Sequence, residues 1–248
     1  MLSDDQLLRY SRQIMLPSVD IEGQLAFANG HALIIGLGGL GSPVAMYLAA
    51  AGVGQLTLVD DDIVELSNLQ RQVIHTQARL GQTKVASAAE GIRALNPDTQ
   101  VNTIDCRLDE AGLSKAIAKA DVVLDCTDNF STRFAINRAC VEHKVPLVSG
   151  AAIRLEGQVS VFDSRQDNAP CYQCLYGGGD DENLTCAESG VLAPLVGIIG
   201  SMQALEALKV LGSVGESLAG RLVLFDAATH QWRTLKLPKD PECAVCGH

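Results

Sequence analysis

Positive charge is scarce in this chain of 248 residues: 19 Lys and Arg stand against 29 Asp and Glu, a formal net charge of −10. That deficit excludes the broad basic face on which nucleic-acid binders depend. A local cationic pocket remains open, with Arg71 and Lys84 as its natural members. A basic n-region followed by an apolar core and a cleavage site is also lacking, so the expected location is the cytoplasm. No uninterrupted apolar run is long enough to cross a bilayer. The most apolar stretch, 191–209, is broken by Pro194, Gln203, Glu206 and Lys209 and reads as a buried helix, without membrane association. Internal repeats are absent, and the one stretch with the composition of a flexible linker is Gly177-Gly178-Gly179-Asp180-Asp181-Glu182.

What is present is a core. A hydrophobic fraction of 47% excludes a disordered chain. The length suits one large α/β domain over 1–248: a helical segment at 1–30, a nucleotide-binding half at 31–150 and a less regular half at 151–248. The eight cysteines, in a chain without a secretory leader, favour reduced thiols with metal-binding or catalytic roles for some. Cys106, Cys126 and Cys140 read as small buried hydrophobes.

Ser3 is placed to cap a helix over 3–15, with Leu7, Leu8 and Ile14 at helical spacing. A strand at 31–35, the turn Gly36-Leu37-Gly38-Gly39-Leu40-Gly41, a helix at 43–51 and a strand at 55–59 make a complete βαβ unit ending in Asp60. Helices at 84–95, 112–120 and 132–143 then alternate with strands at 101–105, 121–125 and 146–149, so a twisted parallel sheet is expected. After Gly150 the pattern changes: strands at 157–163, 221–226 and 231–237 follow without short crossovers, the last alternating like an antiparallel strand.

Four groups of residues within 31–150 carry chemistry. The turn Gly36-x-Gly38-x-x-Gly41 lets backbone N–H groups approach a phosphate; alone it suits NAD or FAD as well, or a tight junction that binds nothing. Asp60 is placed to hold a ribose hydroxyl, and its acidic neighbours Asp61 and Asp62 disfavour a 2′-phosphate. The run Ser67-Asn68-Leu69-Gln70-Arg71, followed by Lys84, offers a triphosphate a guanidinium clamp and a point charge; the bland alternative for Arg71 is a surface ion pair with Asp61 or Glu65. Asp128-Asn129 lies beyond the carboxyl end of a buried strand, where Asp128 either holds Mg²⁺ between phosphates or caps the next helix.

Cys171/Cys174 and Cys243/Cys246 have the pairing and spacing of a closed four-thiolate zinc site, structural because no coordination position stays open; a redox dithiol is the rival. Cys186, beyond the glycine-acidic stretch, is either a nucleophile toward an activated acyl group or an unpaired thiol without a role.

Taken in order, Arg9-Tyr10-Ser11-Arg12-Gln13-Ile14, the glycine turn, Ser67–Arg71, Asp125-Cys126-Thr127-Asp128-Asn129 and the two cysteine pairs resemble the bacterial ubiquitin-activating (E1-like) superfamily. Its adenylyltransferases activate small sulfur-carrier proteins for molybdopterin or thiamin biosynthesis. The resemblance implies a homodimer with a Rossmann-like doubly wound sheet, parallel in the first half and antiparallel in the second. It implies ATP as substrate, with Gly36, Gly38, Gly39 and Gly41 at the nucleotide, Asp60 on ribose, and Ser67, Asn68, Leu69, Gln70, Arg71 and Lys84 at the phosphates. Asp128 and Asn129 would meet Mg²⁺ and the reacting phosphate, Arg12 would reach ATP across the dimer interface, and Cys186 matches a thioester-type cysteine.

The partner implied is a small ubiquitin-like carrier ending in Gly-Gly. The segment from Ser149 to Gln158 is more similar to the molybdopterin-side enzymes, with a thiamin-pathway carrier as the alternative. No rhodanese-like extension follows Cys246, so another protein is expected to deliver sulfur. An NAD oxidoreductase and a non-catalytic, zinc-stabilised binding module are the remaining alternatives.

Overall fold

Short apolar strands closed by glycine or acidic turns dictate how this chain begins, and the computed structural model, which describes residues 1–177 and 190–247, follows that punctuation. The N-terminal segment folds as α1 (Asp4–Arg9), α2 (Ser11–Ile14) and α3 (Asp20–Asn29). Ser3 and Gln6 form a reciprocal capping box at α1, and Tyr10 separates α1 from α2. Then come β1 (His31–Ile35), α4 (Gly41–Ala50), β2 (Gln55–Val59), α5 (Lys84–Leu95), β3 (Gln100–Ile104), α6 (Glu110–Ile117), β4 (Val122–Asp125) and α7 (Phe130–His143). The second half contains β5 (Leu147–Ile153), β6 (Glu156–Phe162), α8 (Tyr172–Tyr176), α9 (Ala193–Gly212), β7 (Arg221–Asp226) and β8 (Gln231–Lys236).

The eight described strands form one mixed sheet in the order β3-β2-β1-β4-β5-β6-β7-β8. β3, β2, β1, β4 and β5 are parallel; β5 through β8 are antiparallel. Alternation within each strand sends side chains to opposite faces. Ala32, Ile34, Leu56 and Leu58 meet Val44, Leu48 and Ile92 of α4 and α5, and Val159, Val161 and Phe225 join Leu195 and Ile199 of α9 on that face. Leu33, Ile35 and Val123 instead pack with Leu113, Ile117, Phe134 and Ile136 of α6 and α7.

α9 is the one described helix whose length and composition would suffice to cross a membrane. It lies against α4, α3, β4, β5 and β6, as expected of a core helix. Its buried Gln203 donates through Nε2 to the carbonyls of Asp125 (2.8 Å) and Val148 (3.3 Å), so the polar group is satisfied inside the fold.

Three expectations need correction. The single helix expected over 3–15 is broken at Tyr10 into α1 and α2. Strand β5 runs four residues past Ser149 to Ile153, because β6 pairs with it along its whole length, Leu147 opposite Phe162 and Ile153 opposite Glu156. Of the three cysteines expected to be buried, Cys126 and Cys140 are, but Cys106 is exposed: it follows β3, the edge strand of the sheet, whose own residues are exposed or half-buried.

Candidate active site

β1 and β4 are adjacent, yet their connections leave toward opposite sides of the sheet, and such a switch point opens a crevice at the carboxyl ends of the strands. A cavity of about 1110 Å³ lies there and continues over the antiparallel strands, reaching Gln158, Leu224 and Arg233. Of the residues singled out from the sequence, Gly36, Gly38, Gly39, Asp60, Asn68, Arg71, Lys84, Asp128 and Asn129 line it. Gly41, Ser67, Leu69 and Gln70 are not among the lining residues. Cys186 lies outside the described residues.

Each lining group is positioned by a local cause. Gly36 has φ +90° and a side-chain carbon there would approach the Cys126 carbonyl to 2.8 Å, so glycine is required. Gly38, by contrast, faces open space, the nearest atom to a notional Cβ being Gln72 Nε2 at 3.7 Å. That is the place for a ligand to approach the backbone. Gly41 touches the Gly36 carbonyl so closely that no side chain fits, and this permits α4 to start directly on the turn.

Asp60 ties the turn to the end of β2: its Oδ2 accepts the Leu37 N–H (2.6 Å) and its Oδ1 the Asp62 N–H (3.0 Å). Burial raises its pKa and Lys84 opposes that rise. Lys84, the first residue of α5, is buried yet reaches Asp62 Oδ2 at 2.8 Å and Asp60 Oδ1 at 3.9 Å. Its charge is therefore held at the cavity rather than free in solvent. Arg71 is braced by its own helical turn, with Nη1 donating to the Ser67 carbonyl (3.1 Å). No described carboxylate pairs with Arg71, so the surface-pair reading with Asp61 or Glu65 falls away.

Asn129, not Asp128, caps α7, its Oδ1 accepting the Thr132 N–H at 2.9 Å. Asp128 is thereby left exposed at the cavity without a hydrogen-bond partner among the described residues. Arg12 lies elsewhere. Around it, the Gln13 amide donates to the Ala51 carbonyl and Tyr10 Oη accepts from Asn96, which places α2 at the amino ends of the strands. The ten-residue α4, about 15 Å long, separates it from the cavity of its own chain.

Sequence reasoning missed Arg133. One turn into α7 and buried, it donates through Nη2 to the carbonyls of Thr127 and Gly150 (3.1 Å for the latter), with Nε 3.9 Å from Asp125 Oδ2. Burial would lower its pKa, but the Asp125 carboxylate outweighs that and keeps the guanidinium charged. Asp125 also accepts from Thr127 N (3.1 Å), Thr127 Oγ1 (2.7 Å) and Ser149 Oγ (3.0 Å), so the loop carrying Asp128 is held at both ends. A basic residue four positions after an N-cap was the available signal. Tyr172 and Tyr176, also on the cavity wall, had none.

The cysteine pairs converge. Cys171 and Cys243 sulfurs are 3.7 Å apart, Cys174 and Cys246 3.4 Å, Cys171 and Cys174 4.0 Å, and all four lie within 4.8 Å of one another. Four thiolates on a tetrahedral zinc at ~2.3 Å would sit ~3.8 Å apart. The donor set and its spacing fit that ion.

Residues 10–245 match the ThiF family, to which the chain belongs. The molybdopterin-synthase adenylyltransferase of Escherichia coli K12 is 51% identical over 246 residues, covering 99% of this chain and 98% of that one. The sulfur carrier protein ThiS adenylyltransferase of the same organism is 45% identical over 246 residues, covering 99% and 97%. Pig adenylyltransferase and sulfurtransferase MOCS3 is 47% identical over 249 residues, 99% of this chain but 54% of its own. A crystal structure of E. coli MccB with MccA-N7isoASN superposes with a TM-score of 0.86 at 23% identity, over 96% of this chain and 75% of that one, a likeness of fold. The protein is an E1-like enzyme, an adenylyltransferase.

Proposed function

We propose that the enzyme adenylates the C-terminal Gly-Gly carboxylate of a small ubiquitin-like sulfur carrier of the MoaD type, releasing pyrophosphate, in molybdenum-cofactor biosynthesis. The observation that carries this reading is one cavity that joins a glycine turn, the cations Arg71 and Lys84 and the Asp128 carboxylate to the open face of the antiparallel strands. A nucleotide fits the first end and an extended tail the second. Relatives named for molybdopterin synthase favour the MoaD type; the relative named for ThiS keeps a thiamin-pathway carrier as the second reading.

In this mechanism Asp60 accepts from the ribose hydroxyl, and the backbone at Gly38 and Gly39 approaches the phosphates. The carrier carboxylate attacks the α-phosphorus as the bond to the pyrophosphate oxygen breaks, giving an acyl-adenylate. Arg71 and Lys84 offset charge gathering on the phosphate oxygens, which is electrostatic stabilisation by groups already in place. Asn68 also lines the cavity, and the Ser67 carbonyl braces Arg71, while Leu69 and Gln70 continue the same turn outside the lining. Asp128, which lines the cavity and has no hydrogen-bond partner among the described residues, suits Mg²⁺, which prefers one or two carboxylates with phosphate oxygens. That ion would neutralise phosphate charge when bound.

Arg12 serves the cavity of a second copy, since its own is out of reach. Exposed Tyr47 of α4 and Leu205 of α9, each 57% accessible, supply apolar surface for that homodimer. The Cys171, Cys174, Cys243 and Cys246 site holds one structural Zn²⁺ per subunit. Cys186 belongs to a separate thioester step, if any carrier uses one, and the location is cytoplasmic. The reading is tested by Asp128→Ala: carrier-dependent ATP–pyrophosphate exchange is lost while the circular dichroism spectrum is unchanged, and near-normal exchange would overturn the assignment.

A further inference from the structure

Helix α8 spans only Tyr172–Tyr176, too short to hold itself in water, so its position is set from outside. Cys171 is its N-cap residue and Cys174 lies within it, which pins it to the cysteine cluster. Its two tyrosines stand on the cavity wall. A second fixing comes from Asn137 in the middle of α7, 1% accessible. The Asn137 Nδ2 donates to Cys171 Sγ (3.5 Å), and its Oδ1 accepts the Tyr172 N–H (2.9 Å). The Tyr172 backbone can only donate there, which fixes the amide orientation and turns its N–H₂ toward the sulfur.

From this point the contacts run to the cavity. Tyr172 packs edge-on against Phe134 (5.4 Å) and Phe162 (5.7 Å) and lies 4.6 Å from Tyr176. Gln158 Nε2 donates to the Tyr176 hydroxyl, on the face of β6 that α9 leaves uncovered. The glycine turn, Asp60 and Lys84 at the nucleotide end are instead tied to β1, β2 and α5, and the tyrosines meet that end at Phe130, 5.6 Å from Tyr176.

We infer that the four-cysteine site, acting through Asn137 and α8, positions the tyrosine wall that receives the carrier tail, so that metal occupancy controls carrier affinity while leaving ATP affinity nearly unchanged. This rests on the carrier reading above. Asn137 is a positioning residue: its N–H···S contact orients a metal ligand, and the same amide holds the backbone of the first cavity tyrosine.

The test compares zinc-loaded enzyme, chelator-stripped enzyme and zinc-saturated Asn137→Ala. Each is titrated calorimetrically with a non-hydrolysable ATP analogue and with a MoaD-type carrier ending in Gly-Gly, and the near-ultraviolet circular dichroism of the tyrosines is recorded. Asn137→Ala is expected to bind zinc about 10–100-fold more weakly. At saturating zinc it still binds the carrier about tenfold more weakly, with ATP affinity within about twofold, and stripped enzyme shows the same split and an altered tyrosine band. Parallel loss of both affinities, or carrier binding indifferent to metal and to Asn137, would overturn the inference. Should stripped enzyme unfold, zinc-saturated Asn137→Ala still decides. Zinc-loaded enzyme that binds no Gly-Gly carrier sinks the carrier reading instead; the tyrosine band then tests the coupling alone, and a band unchanged in Asn137→Ala and on stripping overturns it.

Discussion

Lowering the pH should unlatch the glycine turn through His75. This buried side chain sits behind the turn, with Nε2 3.2 Å from the Leu37 carbonyl and Nδ1 2.8 Å from Ser87 Oγ. A carbonyl only accepts, so Nε2 carries the proton of the neutral ring and Nδ1 accepts from the serine. Burial, with smaller repulsion from Lys84 and Arg79, lowers its pKa from 6.5 to about 4. The unfolded chain therefore binds more protons than the folded one across that window. Stability from a neutral His75 is full above pH 6.5 and is lost as pH falls toward 4. Between pH 7.5 and pH 5 the loss comes to about 2 kcal/mol, a ceiling that polar surroundings reduce. Urea unfolding at those two pH values, for wild type and His75→Gln, reads it directly. The variant is weaker at pH 7.5 but loses less on acidification. Equal pH dependence in the two proteins would refute the reasoning.

Other perturbations test the remaining parts. Lys84→Met should slow ATP–pyrophosphate exchange on the order of 100-fold, the scale of losing one preplaced cationic contact. It also removes the charge that lowers the Asp60 pKa, so ATP binding measured against pH should fail at a higher pH than in wild type; an unmoved acid limb contradicts the pairing. Gly36→Ala forces a side chain into φ +90° beside the Cys126 carbonyl, and its melting temperature should fall by several degrees, for a cost of about 2 kcal/mol. Cys186→Ala should leave exchange near wild type, because adenylation precedes any thioester; a complete loss would join the two steps.

The parallel half was legible because its strands are closed by local signals. β1 and β2 end at Gly36 and Asp60, and α5 runs from the Thr83 cap to Asn96-Pro97, so their bounds could be read residue by residue. β5 could not, since its last four residues are strand only because β6 turns back on them. The site shows the same division. Asp60, Lys84 and Asp128 announce themselves by type and position. Arg133 and Asn137 look like ordinary helix residues, and their importance lies in what α7 places beside them: the Asp128 loop in one case and Cys171 in the other. Arg12 was legible as a motif, but its placement at the far end of the sheet is a property of packing, set by Tyr10 against Asn96 and Gln13 against Ala51.

The central claim is a transfer of AMP to a carrier terminus, and mass spectrometry of the carrier is its most direct test. With enzyme, ATP and magnesium, a MoaD-type protein ending in Gly-Gly should gain the mass of one adenylyl group, while the same carrier lacking its last two glycines stays unmodified. A carrier that remains unchanged, with no pyrophosphate released in the presence of either the molybdopterin-type or the thiamin-type partner, would contradict the account.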